Sequence, residues 1–406
     1  MQGAQGQLSI TLGALMVVRL LGSPALAGIG GSLLGMGRFL VAYPTGKLTD
    51  TYGRRVGMVV GLVLGLVGGI GLGVSVVASS FPLFLVGMSV LGLGVGAGQQ
   101  LRVATVDMYP PSRRAEGLGY VLTGSVVGAF IAPMLVAGAD WVAARTGGEP
   151  LAVTWFLMPM ALVPAIALTL MVRPDPKAIA ADLKRYWPNY QPPPSQAGQQ
   201  ASAARSGLWA FMRHPTKQVA YVSYAAPQGT MAMMMVMTPL VMHSSGHQLS
   251  LISFAVSLHV VGMFGFSIVL GRWADRIGRK PLLWAGLLTQ ALGAVLVPVT
   301  SFYWIITLGL FLVGVGWSAV NVSSTTVLAD TTGPEERGRA VGANDALAGA
   351  WSILTPLASG LVAEASGLMV VGMVGAAMAG LPLLLMGRLR EVSPGRYTAA
   401  AAAPLP

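Results

Sequence analysis

The stretch from Met231 to Met263, MAMMMVMTPLVMHSSGHQLSLISFAVSLHVVGM, gathers soft metal donors. It holds six of the chain's 22 Met in its first twelve residues and three of its four His. Two pairs stand at helical spacing, Met233 with Met237 and His259 with Met263, on two apolar runs parted by the polar turn of His243 to His247. Residues four apart on a helix lie on one face, about 5–6 Å apart, so each pair offers two donors from one turn. Thioether sulfur and imidazole nitrogen suit Cu(I); carboxylates, which suit Mg or Ca, are absent from the whole stretch. That chemistry is a copper site between two membrane helices, with His243 and His247 at the turn able to pass metal inward. The plainer reading also has weight, because Met commonly fills irregular apolar cores. An intramembrane His is harder to dismiss, since a polar ring at that depth needs a partner.

Such a site presupposes a membrane protein, and the composition supplies one. The 406 residues are 54% hydrophobic and only 10% charged, with a mean hydropathy of +0.68, far from a soluble globular domain. Apolar runs of about 20 residues recur, each long enough as a helix to cross a hydrocarbon core of about 30 Å. The formal charge of +11 does not mark a nucleic-acid binder, because the basic residues recur in short loops between the runs instead of forming one patch. Of 25 Lys and Arg, 21 fall on one predicted side; the others are Arg19, Arg38, Arg102 and Arg145. By the positive-inside rule that side is cytoplasmic, and it includes both termini and the central loop. A multi-pass protein of a bacterial-type inner membrane is expected. Cys is absent, which excludes thiolate ligands and disulfides.

Six spans are predicted in residues 1–172, at about 1–22, 24–44, 57–78, 82–104, 117–139 and 151–172, the first clipped at its inner end and the second ending in Pro44. Residues 173–215 turn abruptly to Pro, Gln, Ser and charge, a cytoplasmic linker with short surface helices around Lys184 and Trp209. Six more spans fill 216–390, at about 218–241, 249–270, 282–300, 303–328, 339–363 and 367–388, before a cytoplasmic tail at 391–406. The halves repeat: Gly46, Asp50, Gly53 and Arg54 recur 225 residues on as Gly271, Asp275, Gly278 and Arg279. Likewise Asp107, Arg114, Gly119 and Pro133 recur 223 residues on as Asp330, Arg337, Gly342 and Pro356. The fold class is therefore an all-α membrane protein of twelve helices in two six-helix bundles of the same orientation, the plan of a transporter whose halves rock about a central site.

The loop GKLTDTYGRR, with Gly46, Asp50, Gly53, Arg54 and Arg55, resembles the signature of the major facilitator superfamily, Gly-x-x-x-Asp-x-x-Gly-Arg-Arg/Lys, and GRWADRIGRK repeats it. The glycines permit a tight turn, the arginines stay at the inner surface, and Asp50 can face a helix N-terminus; in the superfamily that partner is the eleventh helix. The Arg usual early in the fourth helix is missing, Met88 or Ser89 standing there, and the fifth-helix antiporter signature is reduced to Gly128-Ala-Phe-Ile-Ala-Pro133. Both absences weigh against a proton-driven drug exporter. In the superfamily the seventh helix lines the transport path and the eighth flanks it. Met-x-x-x-Met there, with His-x-x-x-Met on the eighth, resembles the CcoA-like copper importers. That resemblance implies copper import through Met233, Met237, His259 and Met263, with copper as cargo and no resident cofactor.

The same resemblance extends to carriers of organic solutes such as riboflavin, so a small-solute transporter is the alternative; a non-transporting metal receptor is a third reading. Taking about 1.5 Å per residue, Met233 should lie about 12 Å below the outer end of its span and His259 about 15 Å below the outer end of the next. Among 14 acids only Asp345 falls well inside a span, and Arg38 sits at similar depth in the second. They are candidates for coupling or gating, or for a static packing pair. Pro227 and Gly229 predict a bend in the seventh helix near the site. Nothing resembles an enzyme, since no nucleophile with its base and no phosphate loop occurs. The expected partners are the lipid bilayer, copper or a small solute and a metal chaperone, with no nucleic acid and the chain a monomer.

Overall fold

The computed structural model describes residues 2–98, 104–105, 108–109, 114–188, 215–331 and 334–389. Among them there is helix and no strand, as a bilayer requires of an open chain, because a helix satisfies its backbone hydrogen bonds within itself. The first half runs α1 (Gln2–Leu21), α2 (Ile29–Tyr52), α3 (Arg54–Val77), α4 (Phe81–Ala97), α5 (Arg114–Thr146), then α6 (Pro150–Met160) and α7 (Leu162–Met171) as one broken span. Two short helices follow, α8 (Pro176–Ala181) and α9 (Leu183–Tyr186). The second half runs α10 (Pro215–Ser244), α11 (Leu249–Phe264), α12 (Ser267–Ile277), α13 (Arg279–Val299), α14 (Tyr303–Asp330), α15 (Pro334–Ser366) and α16 (Leu368–Gly380), the last continued by a 3-10 segment Leu381–Arg388. Among the described residues eight segments are long and apolar enough to cross a membrane, and two shorter apolar helices accompany them.

Several boundaries differ from expectation. Pro44 does not end the second span: α2 continues to Tyr52 with Pro44 inside it. Pro removes only its own N–H bond and crowds one carbonyl a turn back, and here that turn carries the exposed Leu40. The second copy of the loop motif is largely helical, α12 carrying Gly271 to Ile277. The expected surface helix near Lys184 is α9; Trp209 lies outside the described residues.

The internal repeat is visible in atomic detail. Gly53 ends α2 at φ 100°, ψ 159°, and Gly278 ends α12 at φ 97°, ψ 161°, a region that favours glycine. Arg54 folds back so that its Nη1 donates to Thr49 Oγ1 at 2.8 Å, and Arg279 Nη1 donates to the Ala274 carbonyl at 3.2 Å. Both arms of this correspondence obey the 225-residue offset. The crossings of α3 with α4 and of α13 with α14 also use glycines at that offset, Gly61 with Gly286 and Gly68 with Gly293, where an added Cβ would meet the facing backbone.

The halves meet away from the basic loops. A Cβ at Gly28 would collide with the Pro356 carbonyl, one at Gly360 with the Ala25 carbonyl, and Ser32 Oγ donates to the Ile353 carbonyl. These contacts close α2 and the Pro24–Leu26 turn against α15. On the other flank α5 packs on α11, and the Asp140 carboxyl accepts hydrogen bonds from Ser250. Between them α1 packs on α10. One continuous hydrophobic core, including Ile10, Met16, Met88, Met233 and Met263, runs through both halves at this level.

Candidate functional site

His259 is wholly buried where α11 packs along α14. Its Nδ1 lies 2.8 Å from the Leu310 carbonyl oxygen. A carbonyl only accepts, so Nδ1 carries the hydrogen, and in the neutral ring Nε2 is left as a lone pair. Nε2 is buried with no hydrogen-bond partner among the described residues. One turn from Leu310 on α14, Gly314 leaves the space the ring needs: a Cβ there would lie 3.0 Å from Nδ1 and 2.5 Å from the His259 carbonyl oxygen. An oriented imidazole whose second nitrogen is held by a carbonyl is the usual support of a metal-ligating His.

Three methionines lie on the same two helices, Met233 and Met237 on α10 and Met263 on α11. Met233, Met237 and Met263 are each at most 2% exposed and belong to the same core. Counting about 1.5 Å per residue from Ser244 on α10 and Leu249 on α11, Met237 lies about 10 Å deep, His259 about 15 Å, Met233 about 16 Å and Met263 about 21 Å. The four donors therefore spread over about 11 Å, or two helical turns. Met233 is deeper than the sequence suggested because α10 runs three residues past 241. Among the described residues no group of three His, Cys, Asp or Glu could hold a metal, so an ion at this level would take thioethers with the single imidazole.

At the far end of α10, His243 is exposed. His247 Nε2 lies 3.1 Å from the Ser301 carbonyl, with its ring edge-on to Tyr303; here Nε2 carries the hydrogen and Nδ1 is the lone pair. Gly246 at φ 83° closes the turn between them.

Toward the basic side the character of α10 changes. Every residue from Gly229 to Met242 is buried, whereas Val222, Tyr224 and Gln228 are half-buried. Around it α10 is packed by α1 from the first half and by α13, α14, α15 and α16 from the second. Trp317 on α14 donates its indole N–H to Gln228 Oε1 at 2.7 Å and stands edge-to-face with Phe264. Tyr224 donates to Asp345 Oδ1 on α15 at 3.4 Å, and Asp345 is exposed. Arg38 on α2 is half-buried. Sequence reasoning named Asp345 and Arg38 but missed Gln228 and Trp317; a Gln inside a span, four residues from Tyr224, was the available signal. The α10 helix runs unbroken through Pro227, and side-chain donors arrive around it: Gln290 Nε2 to the Pro227 carbonyl at 2.8 Å and Thr355 Oγ1 to that of Gly229 at 2.9 Å.

The side chains of Asp50 and Asp275 lie outside the described residues, as does that of Gly46's neighbour Lys47; Gly271 is half-buried on α12. At the N-terminus of α3 the carboxylate that the structure shows is Asp175. It accepts from the backbone N–H of Lys177 at 2.8 Å and of Arg54 and Arg55 at 3.0 Å each, capping α8 and α3 together. Burial alone would push its pKa up, but the N–H donors of Lys177, Arg55 and Arg54 with the Arg55 charge outweigh it and hold it below the usual carboxylate range. Arg55 Nη1 reaches the Leu170 carbonyl at 3.4 Å at the end of α7, and Trp187 donates to the Met108 carbonyl at 2.9 Å while packing on Tyr109.

The Major Facilitator Superfamily profile matches residues 3–224 and 219–405. The uncharacterized MFS-type transporter YdeG of Bacillus subtilis is 26% identical over 92% of this chain and 85% of its own length. The riboflavin transporter RfnT of Brucella anthropi is 24% identical over 83% of this chain and 79% of its own. The fold matches that of the nucleoside transporter NupG at a TM-score of 0.68 with 16% identity, covering 96% of each chain. The xylose transporter XylE of E. coli, in a partially occluded inward open conformation, gives the same TM-score and coverage at 14% identity.

Proposed function

Since the chain belongs to the Major Facilitator Superfamily, we propose that it imports copper by alternating access. The ion travels as substrate on His259 Nε2 and the thioethers of Met233, Met237 and Met263. One observation carries this reading: a buried imidazole whose Nδ1 is fixed by the Leu310 carbonyl and whose Nε2 has no partner among the described residues. A lone pair held dry at that depth is costly unless a ligand takes it, and the sulfurs at neighbouring depths are the soft partners Cu(I) prefers. The basic loops are taken as cytoplasmic; the contacts of α2 with α15 and of α5 with α11 then shut the outer side, and His243 and His247 stand at the outer mouth. A cytoplasmic metal chaperone would receive the ion. The test is cellular copper uptake by the protein and by its His259→Ala and Met237→Leu variants at matched membrane levels. Uptake is expected to fall in both variants; uptake no greater than in cells without the protein would reject copper.

A second reading, transport of a small organic solute, is favoured by the half-buried face of Tyr224, Gln228 and Trp317 and by the similarity to a riboflavin transporter. Excess copper would leave the uptake of such a solute unchanged.

A further inference from the structure

On the basic side, the chain leaving α7 forms a strap, residues 172–187, that carries α8 and α9 and packs on α3. We propose that this strap is a docking surface for anionic phospholipid headgroups, built around Arg173, Lys184 and Arg185. It lies apart from the soft donors and serves the protein whichever cargo is carried.

The strap begins at the rim of the bilayer. Leu168 and Met171 on α7 are 66% and 74% exposed, as apolar side chains that face lipid are, and the helix stops at Met171. There Arg55 Nη1 reaches the Val172 carbonyl at 3.5 Å, and the Asp175 cap ties α8 to the start of α3. The far end is held by Trp187, through its hydrogen bond to the Met108 carbonyl and its ring contact with Tyr109. A segment fixed at both ends holds its cations in place, so a headgroup binds without first having to order the chain.

The charges on the strap are unbalanced. Its two acids, Asp175 and Asp182, both accept from backbone N–H groups, Asp182 from that of Arg185 at 3.3 Å. Arg173, Lys184 and Arg185 are exposed, and their side chains make no hydrogen bond or ion pair among the described residues. Exposed Lys177 adds a fourth cation. Such a cluster directly beside a membrane span attracts anionic lipid, by about fivefold in binding for each charge. A phosphodiester accepts hydrogen bonds from guanidinium and ammonium groups alike. Tyr186, next to Arg185, is 40% exposed, and a ring with an apolar body and a polar tip sits at headgroup level. A basic run that faced only water would need neither the two anchors nor the ring.

Native mass spectrometry of the full-length protein in detergent micelles, titrated with phosphatidylglycerol or with phosphatidylcholine, reads the lipid retained. Phosphatidylglycerol should bind the wild-type protein at least about tenfold more tightly than phosphatidylcholine. Lys184→Gln combined with Arg185→Gln should weaken phosphatidylglycerol at least about tenfold, from two charges at about fivefold each, and leave phosphatidylcholine binding and Tm unchanged. Arg272→Gln combined with Arg276→Gln removes the same charge from exposed positions on α12 and should change little. Equal binding of the two lipids to wild type, or the same loss in both double variants, would overturn the proposal. Displacement of the retained phosphatidylglycerol by soluble glycerol phosphate at matched concentration would also overturn it and give the surface to a free anion.

Discussion

A single methyl group added at Gly314 tests whether the placement of His259 matters to transport. In Gly314→Ala the new Cβ would lie 2.5 Å from the His259 carbonyl oxygen, and ordinary contact begins at 3.4 Å, so α11 and α14 must part locally by about 0.9 Å, the difference between the two. Carried into the 2.8 Å bond from Nδ1 to Leu310, that shift gives about 3.7 Å, beyond a hydrogen bond. The ring then loses the carbonyl that fixes its tautomer and aim. Loss of such a support costs about 10–100-fold in metal affinity, on top of about 1–3 kcal/mol of overpacking. Gly316→Ala is the matched control: on the same helix its Cβ would meet Gln290 N and the Gly286 carbonyl at 2.6 Å each, straining α13 instead of α11. Initial rates of copper uptake across concentrations, at matched membrane levels, should show KM raised about 10–100-fold in Gly314→Ala and little changed in Gly316→Ala, with Tm lowered in both. The same KM change in both variants, or an unchanged KM in Gly314→Ala, would refute the reasoning.

Other consequences are open to measurement. Because the chain has no Cys, Val236→Cys introduces a single thiol at a buried position; it should resist an impermeant maleimide, and adding Gly360→Leu, which wedges α15 from Ala25, should speed labelling about tenfold. Asp175→Asn should loosen the segment 173–188 by about 1 kcal/mol after allowing for solvent screening, seen as faster proteolysis there. Since the pKa of Asp175 is lowered in the fold, its contribution is full above the ordinary carboxylate range and fades only as pH falls through the lowered value; proteolysis should therefore be unchanged between pH 8 and 6. Gly53→Ala combines a positive φ with a Cβ 2.6 Å from the Asp175 carboxylate, and should lower Tm by the equivalent of about 1–3 kcal/mol.

What could be read from the sequence was what repeats or has a fixed rise. Counting residues from the span ends put Met233 and His259 within a turn of the depths that the helix ends of α10 and α11 give, because rise per residue hardly varies once a span is identified. The offset of 225 foretold the matching turns at Gly53 and Gly278, since only glycine suits that φ. What was not legible depends on residues far apart in the chain. Asp175 caps α3 from a position 120 residues beyond Arg55, and no local pattern joins the two. The Trp317 to Gln228 bond spans 89 residues, and the space for His259 is made by a glycine on a different helix. The helical character of α12 was hidden because its Gly, Asp and Arg read as loop residues, although at an interface they alternate with Trp273, Ala274 and Ile277 along a helix.

The contact of Gly28 with Pro356 and of Gly360 with Ala25 brings main chain against main chain with no side chain between. Packing energy at that range is forfeited within an ångström of separation, and no flexible side chain stretches to keep a partial grip. Such a seam would hold firmly when closed and let go over a short distance, so the passage it shuts would behave as a latch with a defined click. Leakage of ions during the cycle would then depend on how briefly the seam is parted, independent of which cargo occupies the path.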